Sequence, residues 1–176
     1  MILSILIPTV PSRKAKVAKL LSTLEALSEL HEGVEILCLY DNKKMTVGEK
    51  RNALLKIARG RYFAFIDDDD DVNYSYFSKI TEAISEHPSD LITFNVGYYS
   101  DLEPHYICDY ADGTRLPAHV HVWNREKFGG ILFPERNAGE DVRWIKNIMS
   151  KVDSVYHIPQ TLYSYVFNSK LTETQK

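Results

Sequence analysis

Cysteine is scarce in this chain of 176 residues, which contains only Cys38 and Cys108. Two cysteines are too few for a disulfide framework, so the fold must rest on an ordinary hydrophobic core. No segment reaches the ~18 consecutive apolar residues that a membrane-spanning helix needs. The apolar start at residues 1–8 has neither a basic beginning nor a cleavage site and predicts a first strand rather than a signal peptide. We therefore expect a cytoplasmic protein without a transmembrane segment.

A strong excess of charge is also missing. Lys and Arg number 21 and Asp and Glu number 24, which gives a net charge of −3 with neutral histidines. This balance argues against a general nucleic-acid binder, which needs a basic surface. Hydrophobic residues make up 44% of the chain, and this content excludes a disordered protein. The sequence has no Gly-x-Gly-x-x-Gly loop and no Walker loop, so dinucleotide and P-loop chemistry are not expected.

Apolar strands and amphipathic helices alternate through the first 100 residues. Strands are predicted over 2–7, 34–40, 61–66 and 91–96, and helices over 14–30, about 49–58, and 74 to near Pro88. This alternation indicates an α/β layered fold with a mainly parallel sheet. Beyond residue 100 the alternation is lost. There we expect a loop or short hairpin over 100–117, a strand over 118–123, a loop over 133–139, a helix over 140–149 and edge strands over 155–158 and 163–167.

Five consecutive aspartates, residues 67–71, directly follow the third predicted strand. Ligands of such sheets bind beyond the carboxyl ends of the strands. Each pair of like charges at ~4 Å repels by about 1 kcal/mol in water, so crowding them favours a bound cation. Mg²⁺ and Mn²⁺ prefer carboxylate oxygens, often completed by substrate phosphates. A solvated acidic loop is the alternative interpretation.

Residues 60–70 spell Gly-Arg-Tyr-Phe-Ala-Phe-Ile-Asp-Asp-Asp-Asp, which resembles the Gly-x-Tyr-x-x-Phe-x-Asp-x-Asp-Asp stretch, with its DXD motif, of family-2 glycosyltransferases. Five further pieces follow the order of that family: Ser-Ile-Leu-Ile-Pro-Thr at 4–9, Asp41, Arg-Asn at 51–52, Gly-Glu-Asp at 139–141 and Pro-Gln-Thr-Leu-Tyr-Ser-Tyr at 159–165. Together they cover most of the chain. The resemblance implies a single GT-A-like domain over 1–176, a three-layer α/β/α fold whose N-terminal half is Rossmann-like. Residues 1–100 would bind the nucleotide sugar, and residues 101–176 would bind the acceptor.

The resemblance also implies an activity, that of a metal-dependent, inverting hexosyl- or pentosyltransferase. Its donor would be a nucleoside-diphosphate sugar. Asp69, with Asp67 as a second candidate, would bind Mn²⁺ or Mg²⁺. Asp141 would act as general base, with Glu140 as its neighbour or substitute. The implied donor-binding residues are Thr9, Arg13, Asp41, Arg51, Asp67 and Asp68.

Within that donor site, Asp41 would contact the nucleobase and Asp67 or Asp68 the ribose. The family often carries an aromatic residue directly after Ile-Pro-Thr, whereas Val10 stands there in this chain. Base stacking is therefore not expected at that position. The acceptor stays open: a glycan, a protein, a small metabolite and a modified nucleobase all offer a hydroxyl or a similar nucleophile.

Three other functions compete with this interpretation. A haloacid-dehalogenase-like phosphohydrolase has Asp-x-Asp after its first strand, with Thr or Val four residues on, whereas this run follows the third strand and Asp71 stands at that place. A sugar nucleotidyltransferase usually opens with a Gly-rich loop and a Lys, which this chain lacks. A non-catalytic nucleotide-sugar or metal-binding module would need the acidic run but no base.

Several side chains allow both a functional and a structural interpretation. The Glu140-Asp141 pair suits the dipole at a helix start as well as catalysis. Lys50 and Arg51, also near a helix start, suit a donor phosphate or a plain basic surface. His119 and His121 would share one face of a strand, where they could chelate a metal or line the acceptor pocket, and His157 is an extra candidate ligand. Tyrosines cluster on the acceptor side, either as stacking surfaces or as packing: Tyr98, Tyr99, Tyr106 and Tyr110.

Overall fold

A computed structural model describes residues 1–100 and 103–167 of the chain. The strands are β1 (Leu3–Thr9), β2 (Val34–Tyr40), β3 (Tyr62–Phe65), β4 (Asp71–Val72), β5 (Leu91–Ser100), β6 (Glu103–Cys108), β7 (Val122–Asn124) and β8 (Val155–Phe167). The helices are α1 (Lys14–Ser28), α2 (Val47–Ile57), α3 (Tyr76–Glu86), α4 (Arg125–Phe128) and α5 (Glu140–Ile148). None of these helices is both long and apolar enough to cross a membrane.

The strands form one sheet in the order β2-β1-β3-β7-β5-β8-β4, with β6 paired to β5. The long pairings are parallel: β1 with β2, β1 with β3, and β5 with β8. The short strands β4 and β7 run antiparallel to their neighbours, as does β6. The prediction of a mainly parallel α/β sheet is confirmed. Crossover helices are needed between parallel strands, and they explain the alternation in the first 100 residues.

Two hydrophobic cores, one on each face of the sheet, make the fold a three-layer α/β/α structure. The first core joins α1 and α3 to the sheet, because Val17, Leu20 and Leu24 recur at helical spacing and point inward. The second core joins α2, α4 and α5 to the opposite face around Trp123 and Trp144. The indole N–H of Trp144 donates to the Ile131 carbonyl at 2.7 Å, so the buried ring keeps its polar group satisfied.

The predicted strand over 118–123 is wrong for most of its length. Only Val122–Asn124 is extended, and residues 118–121 form a turn. The backbone N–H of His121 donates to the Ala118 carbonyl at 3.1 Å, and the Ala118 N–H donates to the His121 Nδ1 at 2.9 Å. This side-chain hydrogen bond lets a segment with strand-like alternation fold back on itself.

The two predicted edge strands near the C-terminus are one strand, β8, and it lies between β5 and β4 rather than at an edge. The pairing with β5 shifts after Phe94, whose partner is Ile158, to Asn95, whose partner is Thr161. Pro159 lies within this irregularity, where its missing N–H costs no ladder hydrogen bond.

In α5, helical spacing predicts Val142 on the inward face, but this side chain is 47% exposed and Trp144 is buried instead.

The segment over 100–117, which the sequence predicts as a loop or short hairpin, contributes the strand β6 over 103–108, paired antiparallel with β5, and residues 109–117 are a loop. Residues 101–102 of that hairpin and residues 168–176 of the predicted acceptor-binding half lie outside the described residues.

Candidate functional site

Polar side chains gather where β1, β2 and β3 end. These strands are parallel neighbours, so their carboxyl ends meet at the same edge of the sheet. Thr9 ends β1, Asp41 follows β2, and the acidic run follows β3 by one residue. The sequence prediction that these positions form one site is therefore consistent with the topology.

Asp68 and Asp69 lie beside a common cation. Asp68 is 4% exposed and accepts a hydrogen bond from the Thr9 hydroxyl at 2.5 Å and another from Nη1 of Arg13. The same guanidinium nitrogen lies 3.3 Å from Asp69. Burial, together with the charges of Asp67 and Asp68, raises the pKa of the Asp69 carboxyl despite the nearby Arg13. Arg13 thus lies beside Asp69 without offsetting the combined effect of burial and the neighbouring carboxylates on its pKa.

Asp70 has a different environment from its neighbours. Its carboxylate accepts a hydrogen bond from the Tyr163 hydroxyl at 2.6 Å and one from the Val166 N–H at 2.8 Å, so it fastens the acidic run to β8. Burial and the charge of Asp67 raise the pKa of Asp70 well above its usual value. Asp71 belongs to β4 and is exposed. The alternative of a solvated acidic loop is wrong for the buried members of the run.

Arg51 joins the acidic run to the start of α5. Its Nη2 lies 3.1 Å from Asp67, and its Nε lies 3.3 Å from Glu140. The guanidinium carbon lies 4.8 Å from the centre of the Phe65 ring and 5.8 Å from that of Phe133. Arg51 is 3% exposed, and within the described part of the chain its Nη1 has no hydrogen-bond partner. Nη1 is therefore a buried donor that is unsatisfied among the described residues.

The His119 ring lies between two carboxylates. Its Nε2 is 3.1 Å from Asp67 and its Nδ1 is 3.1 Å from Asp141. Burial and Arg51 oppose protonation of this imidazole, but the two carboxylates outweigh them and raise the pKa of His119 to about 9. Burial alone would raise the carboxyl pKa values, yet His119 lowers that of Asp141 to about 2 and, with Arg51, holds that of Asp67 well below its usual value. At neutral pH both ring nitrogens therefore donate to ionised carboxylates.

The start of α5 presents its two acidic residues to different partners. Gly139 precedes the helix with φ of 68°, a left-handed conformation that favours glycine. Glu140 is 5% exposed and points to Arg51, while the Asp141 side chain contacts His119 and stays partly open to solvent. The interpretation of this pair as plain helix-dipole residues is therefore too narrow, because both carboxylates have side-chain partners.

Lys50 connects the ends of β1 and β2. It is 1% exposed, and its Nζ donates to the Thr9 carbonyl at 3.2 Å and lies 3.8 Å from Asp41. Burial lowers the pKa of Lys50, although Asp41 and Asp68 oppose this shift. Asp41 also accepts the Met45 N–H at 2.9 Å. Beside it, Tyr40 is 44% exposed and pairs in register with Thr9, so the structure offers an aromatic side chain at this edge.

All the site residues predicted from the sequence lie at this edge of the sheet: Thr9, Arg13, Asp41, Arg51, Asp67, Asp68, Asp69, Glu140 and Asp141. His121 does not share a face with His119. It is buried, its Nε2 lies 3.1 Å from the Phe94 carbonyl oxygen, and burial lowers its pKa to about 3. His157 contacts Thr93 at 3.0 Å, away from the acidic run.

The tyrosines divide between packing and exposure. Tyr98 stacks on Tyr106 with ring centres 4.8 Å apart and also contacts Tyr165 at 5.1 Å. Tyr110 is buried against His121. Tyr163, whose hydroxyl donates to Asp70, lies in the Leu-Tyr-x-Tyr piece of the sequence, but this contact was not predicted. The sequence predicts His119 as a metal ligand or an acceptor-pocket residue, and no local pattern marks its contacts with Asp67 and Asp141.

The side chains at this edge of the sheet could bind a metal ion only if a bound substrate or water supplied further oxygen ligands. Within residues 1–100 and 103–167, no three His, Cys, Asp or Glu side chains are grouped so as to hold a metal by themselves. Both oxygens of Asp67 face cations, whereas the described partner of Asp69 is the Arg13 guanidinium at 3.3 Å. Hard divalent ions often take one or two protein carboxylates and complete their shell with phosphates and water. The residues present fit that arrangement.

Comparison with known proteins gives a family match and a shared fold. The family model described as "Glycosyl transferase family 2" matches residues 19–127. No match was found among curated proteins. Residues 1–349 of TarS from S. aureus, in complex with UDP-GlcNAc, superpose with a TM-score of 0.74 at 16% identity, covering 94% of this chain and 58% of that chain.

Two further TarS structures give similar results. The same TarS segment in complex with UDP has a TM-score of 0.74 at 16% identity, covering 94% of this chain and 60% of that one. A longer TarS structure has a TM-score of 0.73 at 16% identity, covering 94% and 37%. At this identity the likeness concerns the fold. The chain spans three-fifths or less of the length of these structures.

Proposed function

This chain belongs to glycosyl transferase family 2, and on that premise we propose that it transfers a sugar from a nucleoside-diphosphate sugar to an acceptor hydroxyl. The observation that carries the proposal is the pair of carboxylate sites, Asp69 in the acidic run and Asp141 at the start of α5. They belong to separate elements, yet His119 and Asp67 link the two sites at the same edge of the sheet. A sugar between them would have its leaving group on one side and its attacking oxygen on the other.

The donor would lie against the ends of β1 and β3. Thr9, Arg13 and Asp68 form one connected group, which we assign to the nucleotide. Arg51 would support this side by holding Asp67 through its Nη2 at 3.1 Å, and its buried Nη1 would meet a donor oxygen only after a small movement of its neighbours. Asp41 is held by Lys50 and the Met45 N–H, so it would contact the nucleobase from a fixed position. Residues 1–100 would supply this donor side.

A divalent ion would be held by Asp69, with Asp67 oriented beside it by Arg51 and His119. Mn²⁺ or Mg²⁺ supplies neutralisation of the charge that develops on the leaving diphosphate. Asp69 is the better candidate of the two, because both oxygens of Asp67 already face Arg51 and His119, whereas the described partner of Asp69 is Arg13 at 3.3 Å. We therefore assign the metal to Asp69 and an orienting role to Asp67.

Asp141 would act as general base. Its carboxylate is ionised at neutral pH and partly exposed, and it can accept the proton of an attacking hydroxyl within hydrogen-bond reach. Attack from the side opposite the leaving group would invert the anomeric centre. Glu140 is engaged by Arg51 and is not free to exchange roles with Asp141. Residues 101–176 would carry the acceptor, and the sugar would be a hexose or a pentose.

A panel of nucleotide sugars with Mn²⁺ tests this function. One uridine or guanosine diphosphate sugar should raise the melting temperature only with metal present, by about 5 to 10 °C at a concentration of ~100 times its Kd. Free nucleotide should be released at a measurable rate. If none of the sugars raises the melting temperature, with or without metal, the chain is not a nucleotide-sugar enzyme.

Asp141→Asn separates an enzyme from a non-catalytic binding module. The loss of the base should lower turnover by ~10²–10⁴-fold while the Kd for the nucleoside diphosphate stays unchanged. Val142→Ala, at an exposed neighbouring position, serves as the control and should keep wild-type turnover. Equal turnover in Asp141→Asn and wild type would remove Asp141 from the mechanism.

A further inference from the structure

The contact between the donor side and the base runs through a single side chain. His119 lies between Asp67, at the end of β3, and Asp141, in the first turn of α5, with each ring nitrogen 3.1 Å from one carboxylate. These carboxylates come from segments 74 positions apart in sequence. No other described side chain is hydrogen bonded to both of them. The distance between the two carboxylates is therefore set by the width of one imidazole.

The His119 ring is itself held in place. It is 8% exposed, and its centre lies 6.5 Å from that of Phe65. The turn that carries it is closed by the hydrogen bonds between Ala118 and His121. His121 in turn reaches the Phe94 carbonyl, and its ring packs edge-on against Phe94. A buried turn with satisfied hydrogen bonds fixes a side chain better than an exposed loop does.

A second connection closes the arrangement into a ring of contacts. Arg51 joins Asp67 to Glu140, the residue that precedes Asp141 in the chain. The start of α5 is thus fastened to the acidic run at two points, through Arg51 and through His119. Because Arg51 already holds Glu140 to Asp67, the loss of His119 should release the Asp141 carboxylate without detaching the helix.

We propose that His119 is a positioning residue, which fixes the Asp141 carboxylate at a set distance from Asp67 so that the base faces the acceptor when the donor is bound. The inference rests on the proposed function. His119 acts through Asp141 and does not touch the sugar. A misplacement of a base by ~1 Å can cost about 100-fold in rate. The role differs from metal binding, which the sequence offered for this residue, because both ring nitrogens are already engaged by carboxylates.

The two ring nitrogens can be tested separately. In His119→Asn the side-chain amide occupies the place of Nδ1 and can still donate to Asp141. In His119→Gln the amide reaches the place of Nε2, toward Asp67. His119→Ala removes both donors. His87→Ala, at an exposed position after α3, is the matched control.

Initial rates of nucleotide release are measured with whichever nucleotide sugar the wild type turns over, in the presence of Mn²⁺. We expect kcat to fall about 10- to 100-fold in His119→Ala and to recover at least partly in His119→Asn, with less recovery in His119→Gln. The Kd of the matching nucleoside diphosphate should change by less than about two-fold in all variants. Thermal unfolding identifies any variant that does not fold. If His119→Ala does not fold, the kcat values of His119→Asn and His119→Gln are compared with that of the wild type instead.

Three outcomes overturn the inference while leaving the proposed function intact. They are wild-type kcat in the His119 variants, equal losses in the Asn and Gln variants, and a loss of nucleotide affinity that matches the loss of kcat. A different outcome, in which the wild type turns over no nucleotide sugar, overturns the proposed function and this inference with it.

Discussion

Replacing Gly48 by alanine tests how closely α2 packs against the loop that leads to α5. Gly48 is buried in the first turn of α2, and its N–H donates to the Arg136 carbonyl at 3.1 Å. A Cβ atom at this position would lie 1.9 Å from the Pro134 carbonyl oxygen, where ordinary contact begins at 3.4 Å. The obstacle is backbone, so no side-chain rotation relieves it. The two segments must therefore separate by about 1.5 Å.

Two effects of the substitution oppose each other. Alanine favours a helix over glycine by at most ~1 kcal/mol, and by less in a first turn. Overpacking typically costs about 1–3 kcal/mol, and loss of the Gly48 hydrogen bond to Arg136 adds about 1 kcal/mol. The steric clash outweighs the gain in helix propensity, and we expect the free energy of unfolding to fall by about 2 kcal/mol. For a chain of this size that loss lowers the melting temperature by roughly 4–8 °C.

Differential scanning calorimetry of Gly48→Ala beside Gly130→Ala provides the assay. A Cβ atom at Gly130 would meet no described atom within 4 Å, so this substitution should change stability by no more than ~0.5 kcal/mol. Because α2 carries Lys50 and Arg51, the Gly48 variant should also bind the nucleoside diphosphate less tightly. A melting temperature of Gly48→Ala at or above that of the wild type would refute the argument, since helix propensity would then have outweighed the contact.

Three further predictions concern the site. Tyr40→Ala should weaken nucleoside-diphosphate binding about ten-fold in calorimetric titration, because stacking of a base on an aromatic ring contributes ~1–3 kcal/mol. The affinity of Tyr40→Ala for pyrophosphate, and that of Tyr40→Phe for the nucleoside diphosphate, should stay near the wild-type values. Equal weakening for pyrophosphate would exclude stacking. Asp69→Asn should abolish the dependence of nucleotide affinity on Mn²⁺, and a wild-type metal response would assign the ion elsewhere. The raised pKa of His119, about 9 against an ordinary 6.5, implies stability that is fully present below pH 6.5 and lost as pH rises through about 9. The melting temperatures of wild type and His119→Gln should therefore converge over that range, and a constant difference would contradict the assigned protonation.

The strands and helices of the first 100 residues could be predicted because local periodicity determines them. The buried strand over 62–65 and the helix over 14–28 each have a pattern that only one kind of element can bury. Beyond residue 100 the same reasoning was less accurate. The 118–121 turn depends on the His121 imidazole, which accepts a hydrogen bond from the Ala118 N–H, and β8 depends on partners in β5 that lie some 60 residues earlier.

The amino-acid sequence by itself determined that acidic and hydroxyl side chains follow parallel strands, and the topology of such sheets then brings those side chains to one edge. It could not determine what each aspartate does. Asp70 is fastened to Tyr163, 93 positions away, while Asp67 faces His119, 52 positions away. Local patterns describe only neighbours along the chain, whereas these partners come together through the packing of distant elements. The tertiary structure alone therefore separated the anchoring aspartate from the exposed one and placed an imidazole between the two functional carboxylates.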